Sequence, residues 1–408
     1  MLIAPMLVIL SAYAATPSQP LLVGAAIRVV TPERPAYLAG LRSPRLSDGV
    51  HDDLYARALA MSQGDETVIF VGIDVIGYAR ARVDGVKAAL EARGIPTDGL
   101  IVCATHQHSG PDTIGIWGPS ETETGVDEEY MVYLAAQIVD AAAEAYANRR
   151  EARVSMGART IPDGVARNAR VPEYDDELRV LHFVDTDGET ISTLVNFAAH
   201  PETLWSDSTK ITADYPQHVY RLVERAFGGV TVFINGALGG MVTVASEENT
   251  FAECERIGTA VAETAIRATK DAIVVANPVL RHDRRVFSAP MANAQFRAAV
   301  EAGIIPVGPN ADTVETEVSL IRIGDVAIAT VPGELLPAPG FALRDAMRER
   351  LGAASPFILG LANDELGYIL SEEQFELPLY EYEASMSVGR DIGPAVVANL
   401  IELMSTTR

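Results

Sequence analysis

The apolar residues of this chain follow two alternating patterns. Short continuous runs of branched and aromatic residues indicate buried strands, and longer segments with apolar residues three or four positions apart indicate helices. The strand-like runs lie at 68–74, 100–104, 153–156, 178–183, 190–196, 230–234, 314–323 and 326–330. The helix-like segments lie at 79–92, 128–148, 214–227, 251–272, 343–351 and 392–404. This alternation predicts an α/β protein.

Two pairs of predicted strands are joined by tight-turn sequences. Asp185-Thr186-Asp187-Gly188 joins the runs at 178–183 and 190–196, and Gly324-Asp325 joins the last two runs. Such turns connect antiparallel strands, whereas strand–helix–strand units connect parallel ones. We therefore expect mixed β-sheets covered by helices in a single large domain, with no internal repeat and no long linker.

The N-terminal segment Met1 to Ala15 is an apolar run of signal-peptide length, and Ala12-Tyr13-Ala14 matches a small-x-small cleavage site. The positively charged start of such a peptide is missing, so a natural N-terminal strand and a misassigned start codon are the alternatives. We expect residues 1–15 to be a signal peptide and the mature protein to be periplasmic or secreted. The run is too short to span a bilayer, and no other transmembrane candidate is evident.

Composition limits the classes of partner. Asp and Glu number 55 against 32 Lys and Arg, which gives a formal net charge of -23. This charge argues against nucleic acid and anionic membranes as partners, and it allows neutral or cationic substrates. Solubility alone also explains such an excess of acid. The two cysteines, Cys103 and Cys254, could pair in an exported protein, although Cys103 lies in an apolar strand and fills core space.

Two histidines stand one residue apart directly after the strand predicted at 100–104. They belong to Thr105-His106-Gln107-His108-Ser109-Gly110-Pro111. In an extended segment residues i and i+2 point the same way, so we expect His106 and His108 to reach one cavity. Imidazole is a common zinc ligand and the usual general acid or base near neutral pH. The alternative is one buried, hydrogen-bonded histidine and one surface histidine.

A second apolar strand also ends at a histidine, because His200 follows Thr193 to Ala199 and precedes Pro201. Two such strand ends favour a shared site. A carboxylate often completes a zinc site, and Glu334 follows the strand at 326–330; the alternative is an acid in the first turn of a helix. Of the remaining histidines, His182 is predicted in the core, and those without a motif are predicted at the surface. The latter are His51, His218 and His282.

These segments resemble the signatures of the neutral/alkaline non-lysosomal ceramidase family, in the same order along the chain. The first histidine motif is similar to T-H-T-H-S-G-P, and Phe197-Ala198-Ala199-His200-Pro201 matches the strand that ends in a second zinc histidine. Val331-Pro332-Gly333-Glu334 resembles the P-G-E segment. The C-terminal part resembles the pattern N-x-Y…Y-x-T-x-E-E-Y…Y-E-G through Asn363 to Tyr368, Glu372 to Phe375 and Tyr382 to Ala384.

The resemblance implies a zinc-dependent amidohydrolase that cleaves the N-acyl amide bond of ceramide or a related N-acyl lipid by metal-activated water. The zinc ligands that it implies are His106, His200, Glu334 and Tyr368. His108 would face the substrate as a hydrogen-bond donor or proton shuttle, and Tyr368 or an arginine would stabilise the oxyanion. Ligand type alone also allows manganese or iron.

Further residues follow from the same resemblance. The stretch Val165 to Arg170 falls where the family has N-R-S-P, which leaves Arg167 and Arg170 as candidates for substrate contact. Asp74 and Asp214 are expected to orient ligands, with ordinary capping as the alternative. For an acyl chain we expect the apolar residues of 114–117 together with Leu335 and Leu336.

The chain also departs from the family pattern. The family carries G-D-x-S-P-N where this chain has Asn235 to Thr243, without the acid or the serine, so a serine nucleophile is excluded there. The sequence stops at Arg408, and we expect residues 16–408 to form the catalytic domain of a short bacterial branch without the C-terminal β domain. The alternatives are a hydrolase of a small ester, lactone or non-lipid amide, and a catalytically silent family member. The oligomeric state is not indicated.

Overall fold

A computed structural model of the chain describes residues 19–41, 44–305 and 312–406. The predicted signal peptide at 1–15 lies outside the described residues. The helices are α1 (Arg80–Glu91), α2 (Glu128–Ala147), α3 (Tyr215–Phe227), α4 (Phe251–Lys270), α5 (Ala294–Glu301), α6 (Pro337–Leu351), α7 (Glu372–Phe375), α8 (Glu381–Ser385) and α9 (Ile392–Thr406). Two short 3-10 turns lie at Trp205–Asp207 and Pro378–Tyr380.

The strands vary from two to eleven residues. They are β1 (Leu22–Val29), β2 (Gly49–Val50), β3 (Tyr55–Gln63), β4 (Glu66–Ile73), β5 (Gly99–Ala104), β6 (Arg150–Thr160), β7 (Ala166–Asn168), β8 (Glu177–Asp185), β9 (Thr190–Phe197), β10 (Lys210–Ile211), β11 (Val230–Asn235), β12 (Val242–Val244), β13 (Ile273–Val274), β14 (Leu280–Pro290), β15 (Thr313–Ile323), β16 (Val326–Thr330), β17 (Glu334–Leu335), β18 (Phe357–Leu359) and β19 (Tyr368–Ile369).

The largest sheet has the order β11-β9-β8-β6-β1-β3-β4-β5, with β13 paired to β6. Its two halves are joined through β1 and β6 by only two residue pairs, Leu22 with Glu151 and Val23 with Arg150. The outer pairs, β4 with β5 and β9 with β11, are parallel, and the inner pairs are antiparallel. The mixed sheet predicted from the sequence is confirmed, and both predicted hairpins form.

The two halves of this sheet fold against each other around a shared apolar core. Residues of β3, β4 and β5 pack there with residues of β8, β9 and β11. At Gly72 in β4 an added Cβ would lie 2.9 Å from the carbonyl oxygen of Phe233 in β11, so only glycine lets the two layers approach this closely. This stacking brings the ends of β5 and β9 together although the strands lie far apart in the sheet order.

Helices cover the outer faces of both layers. The apolar faces of α1 and α2 pack on the half that contains β3 to β5, and those of α3 and α4 pack on the half that contains β8 and β9. A further sheet, β14-β15-β16-β18, closes one end of the central core and is covered by α6 and α9. The fold is therefore α/β with mixed sheets, as the sequence predicts.

Some elements differ from their predicted bounds for physical reasons. Strand β6 is longer than the predicted 153–156 because its ends carry exposed polar residues that still pair, at the N-terminal end with β1 and at the C-terminal end with β8. Strand β14 was not predicted, since the charged side chains of His282 to Arg285 hide its edge-strand character. Helix α6 begins at Pro337 rather than near Leu343, because proline fits the first turn of a helix.

Both cysteines and most histidines lie where packing accounts for them. Cys103 and Cys254 are buried and free, so they do not pair with each other. His51 is exposed, as predicted, whereas His218 and His282 are half-buried instead of lying at the surface, the latter because it hydrogen-bonds Ser319. Among the described helices none combines the length and the apolarity that crossing a membrane requires.

A buried polar clamp fixes the segment after β18 against β5. Asn363 has a left-handed backbone (φ 59°), and its amide pairs with the backbone N–H of Val102 and the carbonyl of Leu100. The same amide donates to Glu317 Oε1 at 2.7 Å. Glu317 is 2% exposed and also pairs with three cations, Lys87 at 2.8 Å, Arg284 at 3.1 Å and Arg80 at 3.4 Å. The segment that leads to Tyr368 is thereby anchored to the strand that leads to His106.

We expect Glu317→Gln to lower the free energy of unfolding by about 2–3 kcal/mol at neutral pH, because three partly buried cations lose their shared buried anion and Lys87 keeps no other ion-pair partner among the described residues. Burial would raise the pKa of Glu317, but Lys87, Asn363 and Arg80 outweigh it and lower that pKa. The stabilisation is therefore complete above the ordinary glutamate pKa and is lost as the pH falls through the lowered one. Urea unfolding between pH 3 and 7 measures this difference, which must shrink in acid.

The matched control is Glu315→Gln, since Glu315 lies on the same strand but its side chain is 64% exposed. This variant should change the unfolding free energy little at any pH. An equal loss in both variants, or a loss at Glu317 that does not depend on pH, would contradict the account.

Candidate functional site

Three strand ends deliver the predicted site residues to one place. His106 follows β5, His200 follows β9, and Glu334 follows β16 at the start of β17. The sequence predicted an extended backbone through His106, and this prediction is wrong. Strand β5 ends at Ala104, and His106 has a φ of 63°. The imidazole rings converge all the same: the centroids of His106 and His108 lie 5.1 Å apart, and those of His106 and His200 lie 5.0 Å apart.

One buried side chain, Asn235 at the end of β11, ties the two histidine segments together. Its Nδ2 donates to the carbonyl of Thr105, and its Oδ1 accepts from the backbone N–H of Ala199 at 3.2 Å. Each partner directly precedes a histidine. The backbone carbonyl of Asn235 accepts from the N–H of Gly360, at the start of the loop that leads to Tyr368. Asn235 therefore fixes the relative positions of three parts of the site.

Backbone carbonyls orient both histidines. His106 Nδ1 lies 2.6 Å from the carbonyl oxygen of Ile76, and His200 Nδ1 lies 2.7 Å from that of Val242. Because a carbonyl only accepts, each Nδ1 carries the proton, and each Nε2 of a neutral ring has a free lone pair. Both Nε2 atoms face Glu334 Oε2, at 3.6 Å from His106 and 3.0 Å from His200.

Glu334 and Tyr368 stand opposite each other in a two-stranded parallel sheet, in which Glu334 pairs with Tyr368. The Tyr368 hydroxyl lies beside the Glu334 carboxylate and 3.9 Å from Met241 Sδ. The four residues predicted as zinc ligands therefore contact one another in a connected group. Two imidazole nitrogens, a carboxylate and a phenol form a donor set that fits a divalent metal ion.

His108 lies beside this group and is buried, but neither of its ring nitrogens has a hydrogen-bond partner. Its Nδ1 lies 3.4 Å from Oε2 of the buried Glu202. The nearest nitrogens of His106, His108 and His200 lie within 4.8 Å of one another, so a metal ion could also reach His108. The guanidinium of Arg45 donates to the backbone carbonyl of His108 at 2.7 Å.

The electrostatics of the group show what a metal ion would replace. Burial lowers the pKa of His106 to about 4, which leaves that ring neutral. Burial also opposes charge on His200, but hydrogen bonding to Glu334 and the charge of Glu202 outweigh it and raise the pKa of His200 to about 9. Burial would raise the pKa of Glu334, yet His106 and His200 hold it below its ordinary value. His200 and Glu334 thus share a proton that a bound cation would displace.

The group opens into a cavity of about 460 Å³ with a mainly apolar wall. Ile114, Ile116 and Trp117 line it, which agrees with their predicted place near an acyl chain. Leu335 and Leu336 do not line it, because they are buried in the core beneath. Its other apolar residues are Leu41, Ile76, Trp205, Met241, Met291, Phe296, Ile305, Leu366, Met386 and Val388.

The two candidate arginines stand apart from the cavity wall. Arg170 Nε donates to the buried Glu383 at 2.8 Å, so its guanidinium is already engaged. Arg167 is exposed on β7, and its charge helps to lower the pKa of Glu202, which burial raises. The charge of Arg167 therefore acts on Glu202 in the site, whereas Arg170 is paired with Glu383.

Asp74 and Asp214 do not contact the histidines that they were expected to orient. Asp74 accepts from the hydroxyl of Tyr220 at 2.8 Å and from the N–H of Tyr55. Asp214 caps α3 and binds the N–H of Thr203 at 2.9 Å. Capping, the alternative interpretation of the sequence, is what the structure shows for Asp214. Asp74 caps no helix and instead holds the start of β3 and the Tyr220 hydroxyl.

Sequence reasoning missed three residues of the site. Glu202 lies two positions after His200, and Glu365 lies three positions before Tyr368; both line the cavity. Acids so close to candidate ligands were a usable signal. Placed on Asn363, the family pattern N-x-Y would also put a tyrosine at 365, so the glutamate is a visible departure. Asn235 carried no comparable signal, because its partners are backbone groups distant in sequence.

Comparison with known proteins places the chain in a family. Residues 37–250 match the family model described as neutral/alkaline non-lysosomal ceramidase, N-terminal. Neutral ceramidase A of Dictyostelium discoideum is 38% identical over 66 residues, which is 15% of this chain and 9% of that protein. Neutral ceramidase B of the same organism is 34% identical over 68 residues, 16% of this chain and 10% of that protein. The matched segments thus span about a tenth of these curated relatives.

The fold is similar to that of solved ceramidases. Neutral ceramidase from Pseudomonas aeruginosa superimposes with a TM-score of 0.79 over 95% of this chain and 74% of its own, at 19% identity. A ceramidase complexed with C2 gives a TM-score of 0.79 over 95% of this chain and 75% of its own, at 17% identity. The chain belongs to the neutral/alkaline non-lysosomal ceramidase family.

We expect the purified protein to bind about one divalent metal ion per chain. His200→Ala should abolish this binding, because it removes one imidazole and leaves Glu334 without its 3.0 Å partner. Elemental analysis after dialysis measures the stoichiometry. His51→Ala is the control, since His51 is exposed and stacks on Phe251. Unchanged metal content in His200→Ala would contradict the assignment.

Asn235→Ala should weaken metal affinity by roughly ten- to a hundred-fold, although Asn235 touches no metal ligand directly, because it frees the segments that carry His106 and His200. Competition with a fluorescent chelator measures the dissociation constant. Asn249→Ala, which alters an exposed asparagine, is the matched control. Equal affinities in the two variants would show that Asn235 does not position the site.

Proposed function

We propose that this protein is a zinc-dependent amidohydrolase that cleaves the N-acyl amide bond of ceramide or a related N-acyl lipid by metal-activated water. The observation that carries the proposal is the meeting of His106 Nε2, His200 Nε2 and Glu334 Oε2 at one side of an apolar cavity. Family membership supports a hydrolase, and the curated relatives and solved neighbours are themselves described as ceramidases.

In this proposal His106, His200, Glu334 and Tyr368 hold the zinc ion. When bound, zinc supplies a Lewis acid that lowers the pKa of a water molecule and polarises a carbonyl group. The protein's own part begins with the carbonyls of Ile76 and Val242, which fix the tautomers and directions of the two imidazoles. Neutral rings with free Nε2 lone pairs are the form that a metal ion requires.

The apolar wall of the cavity supports a substrate with a hydrocarbon chain. Ile114, Ile116 and Trp117 would contact an acyl chain on one side, and Met291 and Phe296 would contact it further along. Each buried methylene contributes roughly 0.8 kcal/mol, so a short acyl chain is enough for useful affinity. The same wall excludes water and so strengthens hydrogen bonds at the reacting group.

His108 is suited to proton transfer because both of its ring nitrogens are free of other partners. Burial, together with the neighbouring imidazoles, lowers the pKa of His108 well below its ordinary value, which leaves the ring neutral and able to accept a proton. Glu202, 3.4 Å from Nδ1, would stabilise the charged ring after transfer. His108 would then deliver the proton to the leaving amine. The Tyr368 hydroxyl would donate to the carbonyl oxygen as negative charge develops there.

We expect zinc-loaded protein to release fatty acid from a short-chain fluorescent ceramide. His108→Ala should retain its metal but lose roughly a hundred-fold or more in kcat, because the proton must then move without a positioned base. Metal content and turnover are measured on the same sample, with His51→Ala as the control.

The outcomes separate the alternatives. Loss of metal in His108→Ala would make His108 a ligand instead of a proton carrier. Bound zinc without ceramide hydrolysis, but with turnover of a small ester, lactone or non-lipid amide, would replace the lipid substrate. Bound zinc with no turnover of any of these would indicate a silent family member.

A further inference from the structure

One half-buried acid in the cavity wall has no role in the mechanism above. Glu365 lines the cavity, and its Oε1 accepts a single hydrogen bond, from the N–H of Gly367 at 3.1 Å. Its Oε2 is buried and has no hydrogen-bond partner. An unpartnered buried oxygen of this kind costs free energy unless a bound molecule supplies the missing partner.

Several buried acids of the described chain have cations or backbone N–H groups as partners, which Glu365 largely lacks. Asp175 pairs with Arg179 and Arg344, and Glu383 pairs with Arg170. Asp112 accepts from several backbone N–H groups, those of residues 114, 115 and 117. The charges that act on Glu365 are those of Glu334 and Asp364, which are acids and not cations.

Glu365 packs closely against the loop at Gly77. Its Cγ and Cβ lie against Gly77, where an added Cβ would come within 2.6 and 2.9 Å of them, next to Ile114. Gly77 itself belongs to the loop that follows Ile76, the carbonyl partner of His106. Glu365 lies close to the candidate metal ligands, because Gly367, whose N–H donates to Glu365, also accepts from the N–H of Glu334 at 2.9 Å.

We propose that Glu365 determines substrate specificity by hydrogen-bonding a hydroxyl group of the substrate close to the amide that is cleaved. The inference rests on the proposed function and names the feature of the substrate that the site selects. The hydroxyl supplies the partner that Oε2 lacks, within a wall that is mainly apolar.

A hydroxyl suits this position better than other polar groups. It accepts from a protonated acid and donates to a carboxylate, so it pairs with either form, whereas an ammonium pairs only with the carboxylate. Burial, and then the charge of Glu334, raises the pKa of Glu365 well above its ordinary value. A hydroxyl therefore pairs with Glu365 whichever form the acid takes.

The chain contains its own probe for this test, since both of its tryptophans, Trp117 and Trp205, line the cavity. Tryptophan fluorescence of the zinc-loaded protein can follow the binding of three probes: N-decanoylethanolamine, N-decanoylethylamine, which lacks the hydroxyl, and N-decanoylethylenediamine, which carries an ammonium in its place. Wild type should bind the ethanolamide roughly ten- to a hundred-fold more tightly than the ethylamide. The ratio of kcat/KM for the two amides should show the same preference.

Two variants at one position separate hydrogen bonding from packing. Glu365→Leu should lose the preference for the hydroxyl, whereas Glu365→Gln should keep part of it, because an amide still donates and accepts. Glu373→Leu, which changes an exposed glutamate, is the control. Unfolding midpoints show that the variants fold, and Glu365→Gln keeps the test decisive if Glu365→Leu does not.

The outcomes distinguish this inference from the proposed function. A hydroxyl preference in binding without hydrolysis supports the role of Glu365 and removes the amidohydrolase assignment. Hydrolysis with equal binding of the ethanolamide and the ethylamide overturns the role of Glu365 alone. Tightest binding of the ethylenediamine derivative, or no binding of any probe to the wild type, overturns it as well.

Discussion

The site depends on the two hydrogen bonds of the Asn235 side chain. His106 and His200 leave strands that belong to opposite layers of the fold, and a backbone hydrogen bond from the N–H of His108 to the carbonyl of Pro201 also joins the two segments, at 3.0 Å. The Asn235 side chain hydrogen-bonds the residue before each histidine. Its backbone carbonyl accepts a hydrogen bond from the loop that leads to Tyr368. A buried amide satisfied on both sides is a rigid link, because a shift of either strand would leave a polar group unpaired.

Backbone strain accompanies this arrangement. His106, Met241 and Asn363 all have positive φ, and each lies in or next to the site. Left-handed backbone at such residues costs on the order of 1 kcal/mol or more and persists only where surrounding contacts determine it. Those contacts are visible at Asn363, whose amide makes three hydrogen bonds. The hydrogen bonds and ion pairs around Glu317 and Asn363 thus maintain a backbone conformation that the local sequence does not favour.

The sequence predicted the parts of the fold in which pattern and packing agree. Buried strands such as 100–104 and long amphipathic helices such as 251–272 formed close to their expected bounds, and the strand-end histidines met as expected. Strand β14 escaped because charged side chains on an edge strand do not alternate cleanly with apolar ones. The roles that we assign to Asn235 and Glu365 were not predicted from the sequence, because each depends on contacts between distant segments. The backbone conformation at His106 was not predicted, because a left-handed residue after a strand does not change the hydrophobic periodicity.

The most direct test of the account is anomalous X-ray diffraction at the zinc edge from crystals grown with zinc. The account predicts one strong peak within bonding distance of His106 Nε2, His200 Nε2 and Glu334 Oε2, with Tyr368 beside it. A fully occupied peak elsewhere in the protein, or none at these residues with zinc in excess, would contradict the metal site and the hydrolysis proposed from it.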